Sequence, residues 1–130
     1  MARPRRDAAA TIARRISEDV RALNYATLPA DSYPGLDGPV DVHNTIGALM
    51  EAAGRLPQAL DQLAAFLVTQ AGQPGLADDF SRYKGDPDRA IRESSKALRQ
   101  PRHLVGLRTD LDFAFNATSG LYVRDAGPTR

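Results

Sequence analysis

Asp41-Val-His-Asn-Thr-Ile-Gly-Ala-Leu-Met-Glu-Ala-Ala-Gly-Arg-Leu-Pro-Gln-Ala-Leu-Asp-Gln-Leu-Ala-Ala-Phe-Leu-Val-Thr-Gln-Ala-Gly72 decides how many helices this chain has. Val42, Ile46, Leu49, Met50 and Ala53 recur at helical spacing, Asp41 suits the N-cap position, and Gly54 is a natural C-terminal stop. Pro57 then fits the first turn of another helix, with Leu56, Leu60, Leu63 and Leu67 on one face and Gly72 and Pro74 beyond its end. Read this way, the stretch is two antiparallel neighbours joined by a break of about three residues. A single helix kinked at Pro57 is the alternative the same residues allow.

Working outward, Ile12, Ile16, Val20 and Leu23 mark an earlier amphipathic helix starting near Asp7, flanked by Ala9 and Ala13. On its outer face Arg14, Glu18 and Arg21 are spaced to pair with one another. Residues 24–40 carry three Pro and two Gly, which predicts a long irregular loop. Loops of that length pack down through their own side chains or bind something, and Tyr25, Leu28, Tyr33 and Leu36 are its candidates for either role. Beyond the opening stretch, a short helical turn is expected from Leu76 to Tyr83, and Asp86-Pro87 reads as N-cap and first helical position. That helix has a thin apolar side of Ala90, Ile91, Ser94 and Leu98. After Pro101, Leu104, Leu107, Leu111, Ala114, Phe115 and Thr118 predict a last helix ending before Gly120.

No segment alternates with the period of a strand, so the expected fold is all-α: a single-domain bundle of four to five helices over residues 7–122. A basic arm (1–6) and a flexible tail (123–130) flank it. At 130 residues, with 42% hydrophobic and 25% charged residues, the chain has the composition of an ordinary globular domain, and burial of about two-thirds of its unfolded surface is expected. With no Cys there is neither a disulfide framework nor a thiol nucleophile, and a reducing cytoplasm is the expected setting. The arginines near Met1 have no apolar segment behind them, so no signal peptide is expected. The longest apolar run, Leu63 to Val68, is far below the roughly 20 residues that cross a bilayer, and no membrane partner is expected.

The net charge of +1 conceals a segregation. Residues 1–21 carry +3 and residues 88–108 carry +4, whereas residues 22–87 carry −5. The sharpest local feature is the ridge Arg89, Arg92, Lys96 and Arg99, within about 80 degrees on a helical wheel and extendable to Arg102. It is the candidate partner surface: a solvated face, a match for acidic protein including the Asp61, Asp78 or Asp79 side of this chain, or a track for phosphates.

Several chemistries find little footing. A helix-turn-helix can be laid on Ile46 to Leu63, but its second helix would offer DNA Gln58, Asp61 and Gln62 and no basic residue. His43 and His103 have no His or carboxylate partner at ligand spacing, Ser94 and Ser95 have no base nearby, and no Gly-rich phosphate cradle occurs, so no catalytic residue, metal or cofactor is assigned. His43 reads as a boundary histidine near Met50. The ending Tyr122-Val-Arg-Asp125 is one spacer short of the Tyr-x-x-x-Asp/Glu tail of small helical-hairpin secretion proteins, and no Trp-x-Gly turn accompanies it.

The run Leu56-Pro-Gln-Ala-Leu-Asp-Gln-Leu63, preceded by Leu23-Asn-Tyr-Ala-Thr27 and a Tyr-Pro loop, resembles small all-helical proteins of GC-rich bacteria over about residues 15–122. That resemblance implies a helical fold and no particular activity. The function expected from the residues is non-enzymatic association, with a second copy or another protein. Sequence-independent contact with nucleic acid through the ridge is the alternative, and a small molecule held between helices, with Tyr25, Tyr33 and His43 as polar handles, is the third.

Overall fold

The computed structural model describes residues 7–79, 82–100 and 102–124. Among these the chain is all-helical, with no strand: α1 (Ala9–Ala26), a 3-10 turn (Pro29–Asp31), α2 (Pro39–Gln70), α3 (Pro87–Leu98) and α4 (Arg102–Thr118). The basic arm 1–6, Pro101 and the tail from 125 lie outside the described residues. Two compact units form, one from the described residues of 7–42 with 121–124, the other from His43–Gly120.

In the first unit α1 has the expected stripe, yet Ile12, Ile16 and Val20 stay exposed and no residue of the helix is buried. The expected Arg14, Glu18 and Arg21 pairing is not made. Arg21 instead lies over the Tyr25 ring at 6.0 Å, and Arg15 pairs with Asp7 at 2.7 Å. The helix runs through Tyr25 and stops at Thr27, whose backbone N–H and hydroxyl both donate to the Leu23 carbonyl.

The segment predicted to be irregular from 24 to 40 is therefore shorter and partly ordered. Pro29 opens the 3-10 turn, which closes when the Tyr33 N–H donates to the Leu28 carbonyl at 3.0 Å. Ser32 and Tyr33 both take left-handed backbone angles, an uncommon conformation for two successive side-chain-bearing residues. Gly35 then donates to the Ala26 carbonyl at 2.7 Å, and a Cβ there would meet the Ala26 Cβ at 2.7 Å, so only glycine lets the loop close onto the end of α1. Asp41 does not cap α2 as expected. The helix begins two residues earlier, at Pro39, and the Asp41 carboxylate reaches back to accept from the Asp37 N–H at 2.7 Å.

The larger correction concerns the opening stretch. Residues 39–70 are one helix with Pro57 in its interior, so neither the break at Gly54 nor a helix-turn-helix exists. Proline removes one N–H to carbonyl bond, the one Ala53 would accept, and good helix formers on both sides carry the helix across the gap.

The second unit is a helical hairpin with a return arm in two pieces. Going down α2 from Asp61 through Gly54 and Gly47 to His43, the neighbours are Arg99, Arg108, Phe115 and Thr118 in turn, an antiparallel register held over the whole length. At 1.5 Å per residue α2 spans about 48 Å, and α3 and α4 together about 44 Å, so the two short helices match the long one. Pro57 lies beside Leu104 and Val105, in the first turn of α4, and the α3–α4 junction lies about one turn further along α2, beside Asp61.

Among the buried or half-buried positions along α2, Ile46, Met50, Ala53, Pro57, Leu60, Ala64 and Leu67 form one line at alternating steps of four and three. On α3 the inward residues are Ala90, Ile91, Ser95 and Leu98, with Ser95 replacing the expected Ser94. On α4 they are Leu104, Leu111, Ala114, Phe115 and Thr118, while Leu107 is exposed. Asp86 caps α3 as expected, accepting from the Arg89 N–H at 3.1 Å. The expected turn from Leu76 to Tyr83 is not helical among its described residues. The α2–α3 connection instead bends at Gly72, Gly75 and Gly85, all with positive φ.

Candidate functional site

Only Ala53, Ala64 and Ile91 are buried apolar residues among those described, against an expectation of a full bundle core. The apolar surface left over is ordered on α1, where Ile12, Ile16 and Val20 make the stripe described above, and on α2. Leu49, Leu56 and Leu63 stand at seven-residue intervals and are 37%, 37% and 49% exposed, and Phe66 is 64% exposed. Three residues beyond each leucine comes Ala52, Ala59 or Phe66, all exposed. Each of these six residues immediately precedes an inward one: 49 before 50, 52 before 53, 56 before 57, 59 before 60, 63 before 64 and 66 before 67. An α-helix turns about 100 degrees per residue, so α2 bears two parallel apolar seams about 100 degrees apart. The inner seam is used by the hairpin. The outer seam is partly exposed along its length and free of charged residues along its own positions.

The outer seam was hidden from sequence reading by a one-residue ambiguity. Both Leu56, Leu60, Leu63, Leu67 and Pro57, Leu60, Ala64, Leu67 satisfy helical spacing, and the leucines are the more hydrophobic choice for a core. The signal lay upstream. Carrying Ile46, Met50 and Ala53 forward by four and three reaches Pro57 and Ala64, provided the helix does not stop at Gly54.

Part of the basic ridge is engaged within the chain, including at Asp61, one of the acidic positions named above. Arg99, at the α3 C-terminus, pairs with Asp61 of α2 at 3.4 Å, and Arg89 lies over the Tyr83 ring at 5.1 Å. The Arg99 pair is well exposed on both sides and holds α3 to α2 only weakly. Arg92 and Lys96 are exposed on α3, and Arg102 is exposed at the first residue of α4. Of the loop candidates, Tyr25 belongs to α1 and is exposed, Tyr33 is exposed, and Leu28 and Leu36 are half-buried.

His43 is half-buried and fully engaged. Its ring stacks on Phe115 with centroids 4.1 Å apart and planes at 20 degrees, and its Nδ1 lies 2.9 Å from the Thr118 hydroxyl. The Thr118 hydroxyl also lies 2.8 Å from the Ala114 carbonyl, so it links the His43 ring to the α4 backbone. That arrangement pins the start of α2 to the end of α4, with His43 at the boundary position expected and a side-chain hydroxyl as its partner in place of backbone or water. Further along, an open groove of about 510 Å³ runs between α2 and α4, walled by Met50, Ala53, Pro57, Leu104 and Val105. Arg108 lies across the bare backbone of Gly54 at its edge, 3.5 Å from where a Cβ would be.

No helix among the described residues is long and apolar enough to cross a membrane. No protein-family model, curated protein or solved structure matches the chain.

Proposed function

We propose that this protein acts by protein association and not by catalysis, and that the outer seam of α2 is the surface it uses. The observation that carries this reading is the exposure of Leu49, Leu56, Leu63 and Phe66 along one seam beside only three buried apolar residues among those described. A monomer gains nothing from ordering large apolar side chains against water, whereas an associating protein gains roughly 25 cal/mol for each Å² of apolar surface it covers. The expected bundle of helices is, on this reading, completed by the partner. Contact with nucleic acid through the ridge is less well supported, since Arg99 has an acidic neighbour in Asp61 and Arg89 lies over the Tyr83 ring, which leaves Arg92, Lys96 and Arg102 as its remaining cations.

The test is a Leu56→Glu, Leu63→Glu double substitution. Both side chains point away from the hairpin's own inner seam, so helix content by circular dichroism should hold while recovery of any partner, including a second copy, falls at least tenfold. Retention of the partner at full strength would sink the proposal.

A further inference from the structure

We infer that the occupant of the outer seam is a second copy of this chain, and that the two α2 helices pack antiparallel about a two-fold axis between residues 57 and 58. The inference rests on the association reading above and adds the partner and its register.

The argument is one of size. The outer seam has two edges, one made of Leu49, Leu56 and Leu63, the other of Ala52, Ala59 and Phe66. If two such seams met in parallel, each layer would pair a residue with its own copy: leucine on leucine, then alanine on alanine. Helices held apart by the leucine layers would leave voids at the alanine layers, and the interior of a protein tolerates few voids. Run antiparallel, every leucine meets the opposite edge. Leu56 then faces Ala59 of the other copy, Leu63 faces Ala52, and Leu49 faces Phe66, so successive layers have nearly even volume and the alanines admit a close approach. A two-fold axis makes these contacts occur twice, as an isologous interface requires.

Charge and overlap together select among antiparallel registers. In the one just described, Arg55 at the edge of the seam comes beside Gln62 of the other copy, an amide able to accept from a guanidinium. Sliding one helix by seven residues in one direction sets Arg55 beside its own copy, where like charges disfavour the pairing, and sliding it in the other direction carries Leu49 and Ala52 past the partner's seam, opposite Gln73 and Gln70. The second geometric support is the angle between the seams. With the inner seam on α3 and α4 and the outer one about 100 degrees away, each α2 has two neighbours at nearly a right angle, the arrangement of helices around a four-helix core.

The chain has no cysteine, so single introduced thiols report proximity without background. Ala52→Cys and Leu63→Cys are made separately, their masses are measured by light scattering beside the native chain, and each is then oxidised gently alone and mixed. In the antiparallel register, residue 52 lies about 16 Å along the axis from its own copy, too far for a disulfide, and directly opposite residue 63. The expected result is a dimeric native chain, little cross-linking of either variant alone, and efficient formation of the mixed disulfide. Self-cross-linking of Ala52→Cys as the dominant product overturns the antiparallel register while leaving association standing. Dimers that form no mixed disulfide also overturn it. A native chain that stays monomeric overturns the association of two copies itself, and a different protein recovered on the seam would then keep only the parent reading.

Discussion

Gly47 of α2 and Gly106 of α4 are both helical glycines, and their surroundings make them answer differently to a methyl group. A Cβ at Gly47 would stand 2.8 Å from the Phe115 ring, which is already stacked on His43, whereas a Cβ at Gly106 meets nothing within 4 Å. Gly47→Ala should therefore lose about 1–3 kcal/mol of stability through overpacking. Gly106→Ala should gain up to about 1 kcal/mol from helix propensity alone. Urea titrations of both variants read the two signs directly. Ser95 is the other residue whose environment is unusual: it is buried and its hydroxyl has no hydrogen-bond partner. Removing a buried polar group that makes no bond relieves its desolvation, so Ser95→Ala should raise stability by about 1 kcal/mol, and a loss of that size would mean the hydroxyl is bonded in solution.

For the helices as elements, Pro57 is the informative position. Within a continuous helix it costs up to about 3 kcal/mol relative to alanine, so Pro57→Ala should raise the urea midpoint without changing the slope of the transition. If Pro57 instead began a separate helix, the same change would cost stability. Asp86→Ala, by contrast, should lose about 1 kcal/mol with the α3 cap. These two prolines explain what could be read from the chain. Asp86-Pro87 was legible because cap and proline agree with the charge and periodicity that follow. Pro57 left two readings open, because Gly54 and a proline three residues on are a strong local stop signal, and it is the packing of the inner seam against α3 and α4 that favours the single helix. The helical class and the positions of α1, α3 and α4 could be read from period alone, since each has a single stripe. The candidate surface could not, because α2 has two stripes and sequence reading merged Leu56 and Leu63 of one with Leu60 and Leu67 of the other.

For the whole molecule, the small number of buried side chains has a thermodynamic consequence. On the association reading, a helical hairpin whose buried apolar residues, among those described, are Ala53, Ala64 and Ile91 draws much of its stability from the partner, and such stability depends on concentration. The melting temperature should rise with protein concentration over the micromolar range, and the Leu56→Glu, Leu63→Glu variant should melt lower and without that dependence. The most direct measurement is the mass of the native chain by light scattering at tens of micromolar, beside that double variant. The account predicts twice the 14.1 kDa chain mass for the native protein and a single chain for the variant. A native protein at 14.1 kDa, with a melting temperature indifferent to concentration, would contradict it.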